Sequence, residues 1–322
     1  MMIRTATCAL LAAVLLAGCG KKEEQAQEQQ PAASQPAAPA ATTDQPATTN
    51  QTASTAAPAA APAASGAKIG NCDVVGPKGS IPIASPAKPG QLTVEVSLPA
   101  PTWWNGDTAE SIKDGFEYCL AAEIAYRAGF EKMEVVNVGW DPLVTGQTSG
   151  FDLAFSEISI TDDRKKVVDF SVPYFSSDIG VLTRTDKPVD DKTIKDVTVG
   201  VQQATTGATF ATDKLKLTKV QVYPDQGDMF TALRAGQIDA AITDTSIVLA
   251  EEVRGEGKVK VPGQYKTGES YGALYPKGGA NNATLDKIIQ SIIDDGTIKK
   301  LSEKYLAAAW GKDPAALPYW NP

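Results

Sequence analysis

The run at residues 151–171, FDLAFSEISITDDRKKVVDFS, changes character twice. Phe151 to Phe155 is a short apolar stretch that predicts a buried strand. Thr161 suits a helix N-cap, and Asp162 and Asp163 suit the turn after it, where acidic groups complement the helix dipole. Arg164 then stands at the wrong end of that dipole. A planar guanidinium held in a cleft grips a carboxylate through two parallel hydrogen bonds, which gives the arginine a reason to be there. The alternative is a solvated arginine beside Lys165 and Lys166, which themselves read as surface residues.

Working outward, Leu92 to Val96 has the period-two pattern of a strand, and Phe116, Leu120 and Ile124 recur at helical spacing with Gly129 as the stop. Met133–Val138, Val197–Val201, Lys219–Tyr223 and Ile238–Ile242 predict further strands, with a helix around Met229, Phe230 and Leu233. Leu285, Ile288, Ile289, Ile292 and Ile293 form a clean amphipathic stripe. Strands alternating with helices imply an α/β fold with mostly parallel sheets.

Several further segments extend the pattern: Val199-Gly200-Val201-Gln202 before Thr205-Thr206-Gly207, Gly236-Gln237-Ile238-Asp239-Ala240 before Thr243-Asp244, and Tyr271-Gly272-Ala273-Leu274 before Pro276-Lys277-Gly278. Together with 151–171 and Pro173-Tyr174-Phe175, they make the chain resemble the polar amino-acid family of periplasmic solute-binding proteins of ABC importers over about residues 90–310. The resemblance implies a two-lobed periplasmic-binding-protein type II fold with two crossover strands. Lobe 1 would hold 69–183 and 270–322, and lobe 2 would hold 184–269. A small-molecule ligand, an amino acid or a related amine-bearing acid, would sit between them and be passed to the permease subunits. The lobes would close by hinge motion, the protein would act as a monomer, and no cofactor is implied.

By the same resemblance Arg164 takes the ligand's α-carboxylate and Asp244, at the end of its strand, takes the α-amino group; a helix N-cap is the other reading of Asp244. Ser159 and Thr206 match carboxylate-binding positions, with turn capping as the alternative. Trp140 matches an aromatic position after the second strand, although this chain is one residue shorter between Trp140 and Asp152. Trp103 and Trp104 lie where a family aromatic contacts ligand, and core packing is the alternative for all three tryptophans. Glu157 departs from the family, which has a small residue there. Lining the cleft it would favour a ligand with a second amine; otherwise it faces solvent or pairs with a lysine.

The N-terminus sets the compartment. Met1–Arg4 and the apolar run Ala9–Val14 read as a secretory signal too short to span a bilayer permanently. Leu16-Ala17-Gly18-Cys19 looks like a bacterial lipobox, which implies cleavage of residues 1–18 and lipidation of Cys19. Such an anchor with more than one acyl chain holds durably to a membrane. Residues 19–68 are rich in Gln, Ala, Pro and Thr and predict a disordered tether. Cys72 and Cys119 remain as an even pair in an oxidising compartment and predict a disulfide; two buried thiols are the alternative.

The net charge of −8 argues against nucleic-acid binding, and the absence of histidine excludes His-based catalytic triads and His-ligated metals. Two rival readings remain. One is a sensor or surface lipoprotein without an importer. The other is a dehydratase on the same fold, with Glu157 as its acid.

Overall fold

The computed structural model describes residues 66–322. The signal segment 1–18, Cys19 and nearly all of the tether lie outside the described residues.

The chain enters the fold as a hairpin of β1 (Ala67–Ile69) and β2 (Cys72–Val74), slightly before the expected boundary at Ile69. Next come β3 (Leu92–Val96), α1 (Phe116–Arg127), β4 (Met133–Asn137), α2 (Trp140–Val144), β5 (Leu153–Ala154) and β6 (Asp169–Phe170). The chain then leaves along β7 (Phe175–Arg184) to β8 (Val199–Gln202), α3 (Thr206–Thr209), β9 (Val220–Tyr223), α4 (Gln226–Arg234), β10 (Ala240–Asp244) and α5 (Thr245–Arg254). It returns on β11 (Val259–Tyr271) and closes with β12 (Leu274–Tyr275), α6 (Asn282–Asp294) and α7 (Thr297–Ser302).

Two five-stranded sheets result, ordered β4-β3-β5-β12-β6 and β11-β7-β10-β8-β9. β3 runs parallel to β4 and β5, and β8 runs parallel to β9 and β10, so each sheet has a parallel centre. Each sheet is the frame of one lobe. The antiparallel pair β7–β11 joins the lobes: Phe175 meets Tyr271 at one end and Arg184 meets Val259 at the other. Its register breaks between Tyr265 and Glu269.

Helix α1 explains much of the first lobe. Its residues are almost all buried, so it has no wet face on which to place charge. Gly115 precedes it at φ 125°, where an added Cβ would lie 2.3 Å from the Trp103 carbonyl oxygen, so only glycine fits. Cys119 of this helix is disulfide-bonded to Cys72 of the hairpin, with Cα atoms 5.4 Å apart.

Three expectations change. The strand expected over Phe151–Phe155 is regular only at Leu153–Ala154. The helix expected after Thr161 is one 3-10 turn, Arg164–Lys166; both Val167 and Val168 donate back to the Arg164 carbonyl, and the chain then turns into β6. The tail beyond Trp310 does not stay on the first lobe: Trp320 is buried in the core of the second, against Tyr265 at 5.8 Å between ring centroids.

Candidate functional site

The two lobes face each other across a pocket lined from one side by Ser97, Trp140, Ser156 and Glu157, and from the other by Gln202, Thr205, Asp225 and Thr243. Asp244 ends β10 directly after Thr243 of the pocket wall, in keeping with the gathering of ligands at the carboxyl ends of strands in open α/β sheets. It occupies the N-cap position of α5, yet its side chain makes no capping bond. Its Oδ2 instead accepts from the Tyr271 hydroxyl at 2.5 Å. The carboxylate is therefore held for something other than the helix.

Arg164 reaches the same region from the 3-10 turn. Thr161 caps that turn, its Oγ1 accepting from the Arg164 N–H at 3.2 Å. Arg164 is 8% exposed. Nη1 donates to the Ser159 carbonyl at 2.7 Å and Nη2 to the Ala204 carbonyl at 3.0 Å. Ser159 belongs to the first lobe and Ala204 to the second, so the arginine ties the lobes together in a closed cleft. A guanidinium has five N–H donors, and two carbonyl bonds leave others for a ligand. Trp140 lies under it, its ring centroid 5.2 Å from Cζ, which fixes the plane of the fork. Lys165 and Lys166 remain at the surface, paired with Asp162 and Asp163.

Ser159 and Thr206 come to the site but serve a residue that the sequence reading missed. Both hydroxyls donate to Glu269 Oε2, at 2.5 and 2.7 Å. Glu269 lies on β11 at the register break, and its charge acts on both Arg164 and Asp244.

Glu157 is 6% exposed and lines the pocket. Among the described residues its carboxyl has no hydrogen-bond partner. Its backbone sits at φ 48°, a left-handed conformation that costs a non-glycine residue of order 1 kcal/mol and persists only where neighbours enforce it. The enforcing group is Glu117 of α1, whose Oε1 accepts from the Glu157 N–H at 3.0 Å. Glu117 also accepts from Trp104 Nε1 at 2.8 Å and from the Tyr174 hydroxyl. Glu117 and Tyr174 were not predicted. The available signal was an acidic residue on a helix with no polar face.

Trp103 and Trp104 are 1% and 0% exposed and do not reach the cleft. Trp103 packs edge-on against Phe116 and Phe175, at 5.1 and 5.0 Å, and Trp104 spends its N–H on Glu117. The loop that carries them folds down over α1, so core packing takes both. Of the three expected aromatics, Trp140 alone lines the pocket.

The electrostatics are lopsided. Burial, then the nearby Glu269, raises Asp244 to about 7, against a smaller pull from Tyr271 and Arg164. Burial lifts Glu117 to about 7 despite its three donors. Burial, Glu117 and Asp244 together push Glu157 well above the usual carboxylate range. Arg164 is lowered by burial to about 10 and stays charged at neutral pH. The cleft therefore carries an excess of carboxyl groups facing one guanidinium, a balance that a cation would redress.

The sequence model of the bacterial extracellular solute-binding proteins, family 3, matches residues 96–308, well over half of the chain. The chain is 30% identical over 203 residues to the L-cystine-binding protein TcyJ of Escherichia coli K12, covering 60% of this chain and 74% of that protein. Among solved structures, the arginine-, lysine-, histidine-binding protein ArtJ of Geobacillus stearothermophilus superposes with a TM-score of 0.60 at 31% identity, over 70% of this chain and 96% of that one. An ancestral amino acid-binding protein described as a precursor of cyclohexadienyl dehydratase superposes at 0.59 with 29% identity, over 67% and 96%. Among the described residues no helix is long and apolar enough to cross a membrane. With two α/β lobes closed over a polar cleft by paired strands, and this match spanning both, the chain belongs to the bacterial extracellular solute-binding proteins of family 3.

Proposed function

We propose that this protein captures an amino acid bearing a second positive charge and delivers it to the permease of an ABC importer. The observation that carries the reading is Glu157, a buried carboxyl in the pocket wall with no protein partner, beside Asp244 and against a single guanidinium. A ligand ammonium or guanidinium would supply the missing partner. In this arrangement Arg164 takes the α-carboxylate through its remaining N–H donors, Asp244 takes the α-ammonium, and Trp140 flanks the ligand. Ser159 and Thr206 act one step back, by holding Glu269 in place. The protein works as a monomer, tethered to the membrane through lipid on Cys19.

The test is calorimetry across the amino acids, opines and polyamines, supported by thermal shifts. A ligand that binds only the native state adds about 2.7 kcal/mol at a hundredfold excess over its dissociation constant. L-arginine, L-lysine or a related cationic acid is expected to bind most tightly. Tightest binding of an acidic amino acid would sink the charge argument.

A second reading has one observation in its favour. A buried carboxyl whose proton affinity is raised is the kind of group an acid-catalysed elimination needs, and the likeness to a dehydratase precursor gives it a context. Incubation with prephenate separates the readings: the capture reading expects no turnover, and release of an aromatic product reverses the assignment.

A further inference from the structure

The family match ends at residue 308, and the chain continues past it into the second lobe. Residues 297–307 pack on α1 of the first lobe, whereas Trp310 sits at the hinge, 6.5 Å from Phe175 between ring centroids, with its helical turn also against α5 of the second lobe. After one turn at Pro314–Ala316 the tail runs alongside β11, the edge strand of the second sheet. Gln264 of β11 is held three ways. Its N–H donates to Pro318 O at 2.9 Å, its carbonyl accepts from Trp320 N at 2.7 Å, and its side-chain amide donates to Pro314 O at 2.8 Å. The Trp320 ring covers Gly263, where an added Cβ would lie 2.1 Å from the indole nitrogen. Tyr319 donates to Asp178 Oδ2 at 2.9 Å. The other oxygen of Asp178 takes the N–H groups of Thr267 and Gly268, both at 2.8 Å.

These attachments bracket a weak point. Between Tyr265 and Glu269 the β7–β11 register breaks, and Gly268 has φ 66°. A smaller register shift lies between Lys260 and Gly263, so the break at 266–268 is the wider of the two and the place where lobe rotation would concentrate. The chain is fastened to the first lobe where residues 297–307 pack on α1, and to the second through Gln264 and Trp320. All of these contacts are complete in a conformation whose cleft is closed by Arg164 on Ala204.

We infer that the segment after Trp310 is a strap across the hinge, a third link between the lobes that favours the closed state and so sets ligand affinity from outside the cleft. The inference rests on the reading of the cleft as a ligand trap that closes. A device that stabilises the closed state raises apparent affinity by the population it adds, for every ligand alike.

The experiment compares the full chain with Trp320→Ala, using L-arginine calorimetry and small-angle scattering with and without L-arginine. The expected result is a dissociation constant raised about three- to tenfold, an unchanged ranking of amino acids, and a larger ligand-free radius of gyration. At saturation the two profiles should coincide. Tyr319→Phe, which removes one bond at a half-exposed residue, should move the affinity the same way by a smaller factor, and it serves if Trp320→Ala does not fold. Equal affinities with superimposable ligand-free profiles would overturn the strap. If no amino acid binds either protein, the capture reading fails, and the ligand-free profiles still decide the strap, which stands only if the variant is the more open.

Discussion

Helix α1 carries two buried glutamates that live under different rules. Glu123 is 1% exposed, with Arg127 Nε donating to it at 2.8 Å and the Val75 and Gly76 N–H groups at 2.9 and 2.7 Å. Arg127 is itself completed by Asp295 at 2.5 Å and Ser291 at 2.9 Å. Glu117 is 0% exposed and receives three hydrogen bonds, yet no cation completes it, and it is raised to about 7. A buried carboxylate with a cation of its own ties the structure together. One that has only neutral donors passes its charge on to its surroundings, here the strained loop at Glu157. The difference separates scaffold from site within one helix.

The comparison is most sharply tested at Arg127. Arg127→Met strands Glu123 and Asp295, and should cost about 3–5 kcal/mol in urea unfolding with no change in ligand affinity for the fraction that folds. A large affinity change would mean the two glutamates are not separate systems. Arg164→Ala should do the opposite, costing about 2–5 kcal/mol of binding by calorimetry with a smaller effect on unfolding.

Glu157→Gln keeps the shape and removes the unpaired acid. Arginine affinity should fall at least about tenfold, the order expected for one charge-assisted hydrogen bond, while glutamine affinity should hold. The variant's stability at pH 8 should rise, because a carboxyl that burial disfavours no longer has to ionise.

The smallest effect is the pH slope of the wild type. Asp244 and Glu117 are ordinarily near 3.8 and 4.5 and stand at about 7 in the fold. Raised acids of this kind stabilise the ligand-free fold below their unfolded values and lose that contribution as pH climbs to about 7. A cationic ligand needs them charged. Its affinity should therefore rise from about pH 5.5 to about pH 8, by up to tenfold per pH unit for each proton displaced. Calorimetry in buffers of different ionisation enthalpy would count those protons, and Glu157→Gln should release fewer.

Much of this was legible in the sequence, for a reason visible at particular positions. Leu92–Val96 and the stripe from Leu285 to Ile292 announce themselves because one periodicity decides one environment. The places of Arg164 and Asp244 beside the cleft, though not their roles toward a ligand, were legible because local electrostatics or strand direction gives each a reason to be there. Trp103 and Trp104 were misread because an aromatic in a loop after a strand looks the same whether the loop stands up into the cleft or folds down on α1. Glu269 and Glu117 were invisible because their partners are distant in sequence: Ser159 and Thr206 lie 110 and 63 residues from Glu269, and Tyr174 and the Glu157 amide lie 57 and 40 residues from Glu117. Their roles exist only after long-range closure of the fold, which no local window reports. The tail beyond Trp310 was assigned to the wrong lobe because nothing in Pro314–Trp320 indicates which edge strand it will meet.

The hairpin at Ala67–Val74 has a mechanical meaning. Because Cys72 is bonded to Cys119, a pull arriving from the N-terminal side of Ala67 is delivered into the first turn of helix α1. That load passes into the first lobe alone and bypasses β7 and β11. With the membrane anchor proposed above, the first lobe would be the fixed mount and the second the swinging jaw, so that tension from upstream would leave the opening and shutting of the cleft undisturbed.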